Sequence, residues 1–183
     1  MMKNTNSHYG WLSIAIHWLV AVMIFTLFAL GVWMVELTYY DSWYKSAPEL
    51  HKSIGISLFM IMLLRLVWRK KQIQPQPLNT HSKFEQKSAH IVHLLLYGLF
   101  FVIAISGYLI STADGRGIEV FQLFTVVGFG AFIENQEDIA GVIHQYLAYS
   151  LIVLTLLHAL AALKHHLIDK DITLKRMLGW RKN

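Results

Sequence analysis

The chain has 183 residues, of which 55% are hydrophobic and 15% charged, and its mean hydropathy is +0.44. This composition argues against an ordinary soluble globular domain, and the lack of cysteine excludes disulfides and thiolate-ligated metal centres. Sixteen Lys and Arg against eleven Asp and Glu give a net charge of +5, but the charges lie between long uncharged segments.

Four segments are apolar enough to cross a bilayer, which takes about 20 residues of helix. They cover approximately residues 11–36, 51–69, 88–112 and 139–163. Arg65 interrupts the second, and its long side chain is predicted to snorkel toward the lipid headgroups. All four should be helices, because lipid offers no partner for an unpaired backbone group. We predict an all-α membrane protein, a single domain over 1–183 with four transmembrane helices forming a bundle.

Two connectors between these spans have distinct character. Residues 72–77 include two prolines and are predicted to form a polar, partly extended linker. Residues 120–129 form an uncharged run of ten residues, too short to cross a membrane. We predict that this run forms a short interfacial or re-entrant helix that caps the bundle.

The charges indicate how the spans are oriented. The side with both termini and the linker carries thirteen of the sixteen basic residues and three of the eleven acidic ones, a net +10, whereas the other side totals −5. The positive-inside rule therefore predicts cytoplasmic termini. The basic character reflects this topology, so we expect a multi-pass membrane protein and no nucleic-acid partner.

Histidines lie inside the spans at matching depths. His17 is six residues from Trp11 and His158 six residues from Lys164, at the cytoplasmic ends of their spans, whereas His51 and His144 lie toward the outer surface. His144 and His158 are 14 residues apart, which places them on nearly one face of a helix and about 21 Å apart along its axis. The pattern predicts two stacked bis-imidazole sites, formed by the pairs His17/His158 and His51/His144.

The surroundings of these histidines favour haem iron over zinc. Zinc prefers four protein ligands, or three and a water, whereas two facing neutral imidazoles suit a porphyrin iron. A flat porphyrin also needs small side chains about one turn from each ligand, and such residues are present: Ser13, Ala21, Gly55, Gly141, Ala148, Ala161 and Ala162. The alternative is that the histidines bridge helices by hydrogen bonds and the small residues serve helix packing.

Other polar residues are candidates for secondary roles. Lys52, Arg65 and Arg69 have the charge to meet haem propionates, although Arg65 and Arg69 also fit ordinary membrane anchoring. His90, His93 and His165 lie near the cytoplasmic surface, where they can contact a quinone or the inner haem edge, or simply the lipid headgroups. His8 and His81 are predicted to be solvated loop residues.

These residues resemble the bacterial cytochrome b561 family over about residues 11–177. The matching features are the segment from Ser13 to Trp18, His51-Lys-Ser-Ile-Gly55, the segment from Ala89 to Tyr97, the pair His144 and His158, and the tail from His165 to Met177. The resemblance implies a four-helix di-haem b cytochrome of the bacterial inner membrane, with His17 and His158 on the cytoplasmic-side haem and His51 and His144 on the periplasmic-side haem.

Three functions remain open at this point. The first is an electron carrier between a periplasmic redox partner, such as a small redox protein, and ubiquinone or another quinone. The second, which one branch of the family implies, is a superoxide:ubiquinone oxidoreductase; its anionic substrate is less suited to the acidic outer side. The third is a haem-free membrane anchor or transporter, against which the lack of Asp and Glu deep in the spans argues.

Overall fold

A computed structural model describes residues 1–78 and 80–180. Arg181 and Lys182, counted above among the cytoplasmic charges, lie outside the described residues. The structure is mostly helical, with the order α1 (Trp11–Met34), α2 (Ser46–Lys71), α3 (Lys83–Ser111), β1 (Ile118–Val120), β2 (Phe124–Val126), α4 (Gln136–Leu167) and α5 (Thr173–Met177). The first four helices are long and apolar enough to cross a membrane, which confirms the predicted fold class.

The helix ends extend beyond most of the predicted spans because polar residues stabilise them outside the apolar segment. Ser82 and Glu85 form a capping box at the start of α3, in which Glu85 N donates to Ser82 Oγ and Ser82 N donates to Glu85 Oε2. Helix α2 ends on three basic residues, and the first turn of α4 contains two acidic ones, so both ends suit the helix dipole.

The long helices expose most of their apolar side chains. In α1, Val20 is buried, whereas Val22, Phe25 and Trp33 are exposed. Such a surface would be unstable in water and is suited to lipid, which is as apolar as the side chains themselves.

The chain divides into two compact units, and each of the four long helices contributes to both. The terminal unit comprises Met1–Ala21, Ile61–Tyr97 and Val153–Asn183. The hairpin unit comprises Val22–Met60 and Gly98–Ile152.

A buried asparagine organises the N-terminal segment within the terminal unit. Asn4 Oδ1 accepts hydrogen bonds from Gly10 N and Ser13 Oγ, both at 2.8 Å, and Asn4 Nδ2 donates to the Ile73 carbonyl. Residues 73–78 have no regular secondary structure, as predicted for the linker. The N-terminal segment is therefore tied both to α1 and to this linker.

The helix predicted within residues 120–129 is wrong: the structure has a two-stranded antiparallel hairpin that pairs Ile118 with Val126 and Val120 with Phe124. Its turn places Phe121 and Gln122 at φ of 49° and 61°, values that bulky residues rarely adopt. Hairpin turns favour such values, but their usual signal is Gly, Asn or Asp, and this turn has none. Ser53 holds the turn, since its hydroxyl accepts from Phe121 N at 3.1 Å.

Candidate functional site

Within the hairpin unit, the structure brings His51 of α2 and His144 of α4 together. Their ring centroids are 6.2 Å apart, with the ring planes at 67°. Imidazole nitrogens bind a metal at about 2 Å, so two imidazoles on opposite sides of one ion have ring centres about 6 Å apart. The spacing therefore fits one metal ion between the two rings.

Each of these two imidazoles lies against a glycine of another helix. A Cβ added at Gly31 of α1 would lie 3.2 Å from His51 Cε1, and one at Gly107 of α3 would lie 3.0 Å from His144 Cε1. Both distances are shorter than ordinary van der Waals contacts, so glycine is what allows the rings to sit where they do. Sequence reasoning missed both residues because it considered small residues only on the ligand's own helix.

Space for a flat ligand is present beside the same histidines. Gly55 and Gly141 lie four residues after His51 and three before His144, and a Cβ added at either glycine would meet nothing within 4 Å among the described residues. A porphyrin lying against a histidine-bearing helix needs such uncrowded positions, so the residues at this site fit a haem.

The tautomer of His144 is fixed by its surroundings. Its Nδ1 lies 2.9 Å from the Ile103 carbonyl oxygen and 3.2 Å from Ser106 Oγ. A carbonyl only accepts, so Nδ1 carries the proton and Nε2 is left as the ligand atom. His51 Nδ1 is buried and has no hydrogen-bond partner among the described residues.

Lys52, a candidate propionate contact, lies next to His51 in sequence and interacts electrostatically with Asp114. The pKa of Asp114 is held below its usual value by hydrogen bonds from the side chain and backbone of Arg116 and by the attraction of Arg116 and Lys52. The positive charge of Lys52 is thus partly balanced by this carboxylate.

The terminal unit contains a second group of histidines. His17 interacts electrostatically with His158 and His93, and the rings of His93 and His158 are 5.2 Å apart. All three side chains are half-buried. The structure therefore brings together the predicted pair and adds His93 of α3 as a direct neighbour of His158.

Arg65 does not snorkel toward the headgroups but points inward to this group. Its Nη2 donates to His17 Nδ1 at 2.9 Å, and its Cζ lies 5.6 Å from the centre of the Tyr97 ring. Arginine has no acceptor, so neutral His17 carries its proton on Nε2 in this state. Metal binding by Nε2 would need the other neutral tautomer, in which the proton lies on Nδ1, and Arg65 would then give up this contact. In that tautomer His17 would still offer a neutral nitrogen, which suits a haem iron.

The remaining predicted residues lie in different surroundings. His90 and Arg69 are exposed. His165 is not beside the His17 group; its ring lies 4.5 Å from that of His81. His81 is not solvated as predicted, since its side chain is 16% exposed and its Nε2 lies 2.9 Å from Asp171 Oδ2. His81 is far in sequence from His165 and Asp171, so the sequence alone did not indicate that they lie together.

Asp171 lies at the centre of the cluster that it forms with His81 and His165. Burial acts to raise the pKa of this carboxyl, but hydrogen bonds from Thr173 and His81 outweigh it, and the pKa lies below its usual value. Thr173 N donates to Asp171 Oδ1 at 2.8 Å. The carboxylate is therefore both ionised and held in orientation.

The profile of the family described as prokaryotic cytochrome b561 matches residues 8–180. The chain belongs to this family. It is 53% identical to cytochrome b561 homolog 2 of Escherichia coli K12 over 96% of the chain and 94% of that relative. It is 30% identical to a probable superoxide oxidase CybB of Yersinia pestis and 27% identical to cytochrome b561 homolog 1 of E. coli K12, in each case over more than 90% of both proteins. Cytochrome b561 proteins carry out electron transfer in membranes, and the chain is accordingly a multi-pass bacterial membrane protein with b-type haem.

Proposed function

We propose that this cytochrome b561 protein binds two b haems and carries electrons across the inner membrane between a periplasmic redox partner and the quinone pool. The observation that supports this proposal best is the distance of 6.2 Å between the ring centroids of His51 and His144. Each ring lies against a glycine of another helix. When bound, haem iron supplies a one-electron carrier, and two imidazole ligands keep its coordination positions filled.

In the proposed orientation both termini lie in the cytoplasm. This orientation rests on the net +10 of the side with both termini against −5 on the other side. The His17/His158 pair is then the cytoplasmic-side site and the His51/His144 pair the periplasmic-side site.

Specific residues hold the two proposed haems. His51 and His144 would hold one, with Ile103 and Ser106 fixing the His144 ring. His17 and His158 would hold the other. We propose that Arg65 exchanges its contact with His17 for a haem propionate and that Arg69 and Lys52 meet the remaining propionates, because a guanidinium or ammonium group pairs well with a carboxylate.

The proposed quinone site lies beside His93. Tyr97 is one helical turn further along α3, and its buried hydroxyl has no hydrogen-bond partner among the described residues. A quinone carbonyl accepts hydrogen bonds and takes up protons on reduction, so His93 and Tyr97 are suited to bind and protonate it. We propose that the exposed His90, three residues before His93, relays protons from the aqueous side.

A haem count tests the proposal directly. We expect the purified protein to show the sharp α band of a reduced b cytochrome and about two haems per chain in the pyridine haemochrome assay. A colourless protein, as a transporter or haem-free anchor would give, or one haem per chain would overturn it.

A second candidate is superoxide oxidation coupled to quinone reduction, favoured by the 30% identity to a probable superoxide oxidase. Lys52 would attract the anion, although Asp114 offsets part of its charge. Quinone reduction by superoxide above the spontaneous rate, lost in Lys52→Glu but retained in Lys45→Glu, would establish this activity. A rate equal to the spontaneous one would exclude it.

A further inference from the structure

A cluster of metal-ligand side chains lies in the terminal unit, apart from the proposed haem ligands. His81 precedes α3, His165 is in the last turn of α4, and Asp171 follows α4. His81 Nε2 and His165 Nδ1 lie 2.9 and 3.3 Å from the same oxygen, Asp171 Oδ2. The three potential ligand atoms all lie within 4.8 Å of one another.

These side chains are well shielded from water. The Asp171 side chain is 4% exposed, and those of His81 and His165 are 16% and 15% exposed. A single hydrogen bond to this buried carboxylate oxygen would need only one imidazole, whereas two imidazoles lie close to it. Shielding also strengthens the attraction of the carboxylate for a cation.

His165 is incompletely satisfied in this arrangement. Its Nδ1 lies 2.8 Å from Asp169 Oδ2, but the direction is wrong for a hydrogen bond, and this buried nitrogen has no such partner among the described residues. A buried ring nitrogen left without a hydrogen bond is costly and is satisfied when it binds a ligand in the ring plane.

Two of the three separations between the ligand atoms are close to those around a small transition-metal ion. Zinc binds imidazole nitrogen and carboxylate oxygen at about 2.0–2.2 Å in tetrahedral geometry, which places neighbouring ligand atoms roughly 3.3 Å apart. The measured separations from Asp171 Oδ2 are 2.9 and 3.3 Å. Thr173 supports the carboxylate from behind, as outer-shell groups do at metal sites.

A second group, formed by Glu85, His165 and Asp169, is less suitable. The ammonium group of Lys164 already bridges its two carboxylates, at 3.0 Å from Glu85 and 2.7 Å from Asp169. A divalent ion there would have to displace this cation, whereas no basic side chain is paired with Asp171 besides the two histidines among the described residues.

We propose that His81, His165 and Asp171 form a binding site for a zinc-class divalent metal ion, with water completing the coordination. The ion would tie the linker before α3 to the segment after α4. This role is structural and independent of the proposed electron transfer.

Zinc binding to the full-length, haem-loaded protein tests the site. The protein should carry no oligohistidine tag, be stripped with EDTA, equilibrated with Zn²⁺ and freed of excess ion by gel filtration. We expect about one zinc per chain by elemental analysis, with nitrogen and oxygen ligands at about 2.0–2.1 Å in X-ray absorption at the zinc edge.

Matched variants identify the ligands. His81→Ala and Asp171→Asn, each of which removes a proposed ligand, should weaken zinc binding at least about tenfold. His90→Ala, an exposed histidine on the same side, should bind zinc like the unmodified protein. The haem spectrum of each variant reports whether it has folded.

Two results would overturn the proposal. One is the absence of bound zinc in the folded, unmodified protein. The other is equal zinc binding by His81→Ala, Asp171→Asn and His90→Ala, which would show adventitious binding elsewhere. Either result leaves the haem count, and so the proposed function, unaffected.

Discussion

The Nδ1 atom of His144 lies 2.9 Å from the backbone carbonyl oxygen of Ile103. This contact joins α4 to α3 and fixes which nitrogen of the imidazole is left to bind a metal. It also orients the ring toward His51. The ligand function proposed for His144 therefore depends on a main-chain group that no side-chain substitution removes, and the histidine itself is the place to test it.

Single histidine replacements should separate the two sites. We expect His144→Ala to lose the haem of the His51/His144 site and retain the other, and His158→Ala to do the reverse, because the two pairs share no ligand. Haem content should fall by about half in each case, measured by pyridine haemochrome with low-temperature spectra of the α bands. His8→Ala is the control. Loss of both haems from a folded single variant would show that the sites are not independent.

Replacing Gly107, the glycine against which the His144 ring lies, should weaken haem binding at the His51/His144 site without removing a ligand. In Gly107→Ala the new Cβ would lie 3.0 Å from His144 Cε1, so the ring must shift by a few tenths of an ångström. We expect haem to be bound about 10- to 100-fold more weakly, as for other outer-shell changes at metal sites, measured by haem transfer to an acceptor apoprotein. Gly98→Ala, on the same helix with open space around it, should behave like the unmodified protein. Equal haem loss from both variants would contradict this role.

Removing the positive charge of Arg65, which lies next to His17, should lower the reduction potential of the proposed haem at this site. A positive charge favours the reduced state of a nearby redox centre, so Arg65→Gln should lower the potential of the His17/His158 haem. A shift of about 60 mV corresponds to a tenfold change in a one-electron equilibrium. Spectroelectrochemical titration measures it, and Arg69→Gln, which alters an exposed arginine, should give a smaller shift. An unchanged potential would place Arg65 away from the haem.

The hairpin turn should depend on one serine. Ser53 Oγ accepts from Phe121 N at 3.1 Å and donates to the Glu119 carbonyl at 3.3 Å. In Ser53→Ala the Phe121 amide loses its partner, and its hydrogen exchange should accelerate about tenfold, equivalent to about 1.4 kcal/mol. Ser57→Ala, which removes a bond only to its own helix, should leave this exchange rate unchanged. Similar rates in both variants would show that Ser53 does not hold the turn.

The N-terminal segment should detach when Gly10 is enlarged. A Cβ at Gly10 would overlap the Met2 carbonyl oxygen, so there is no room for any side chain. In Gly10→Ala we expect trypsin to cleave after Lys3 about tenfold faster, because cleavage follows the population of the open segment. Mass spectrometry detects the released peptide, and Gly98→Ala serves as the control. Unchanged cleavage would mean that the segment tolerates the substitution.

Hydropathy predicts the four helices because long uncharged segments in lipid have no other way to satisfy their backbone groups. It does not predict where the helices end, since ends such as the Ser82–Glu85 capping box depend on short-range hydrogen bonds outside the apolar segment. The hairpin was also missed, because its turn uses Phe121 and Gln122 instead of the residues that usually mark a turn.

The depth of the histidines predicts which ones to consider together, but not what surrounds them. Gly31 and Gly107 are found only once the neighbouring helices are known. The inward direction of Arg65 and the meeting of His81 with Asp171 likewise depend on contacts between segments far apart in sequence. Spacing along one helix does not contain this information.

Several fixed points hold the segment between α3 and α4, within the hairpin unit. Beyond the Ser53 bonds, Tyr108 Oη donates to the Val127 carbonyl at 2.7 Å, and buried Gln136 links the Leu109 carbonyl to Phe132 N. Because Tyr108 belongs to α3 and Gln136 to α4, these bonds join the segment to both helices. It is therefore expected to move together with the helix ends and not as an independent flap.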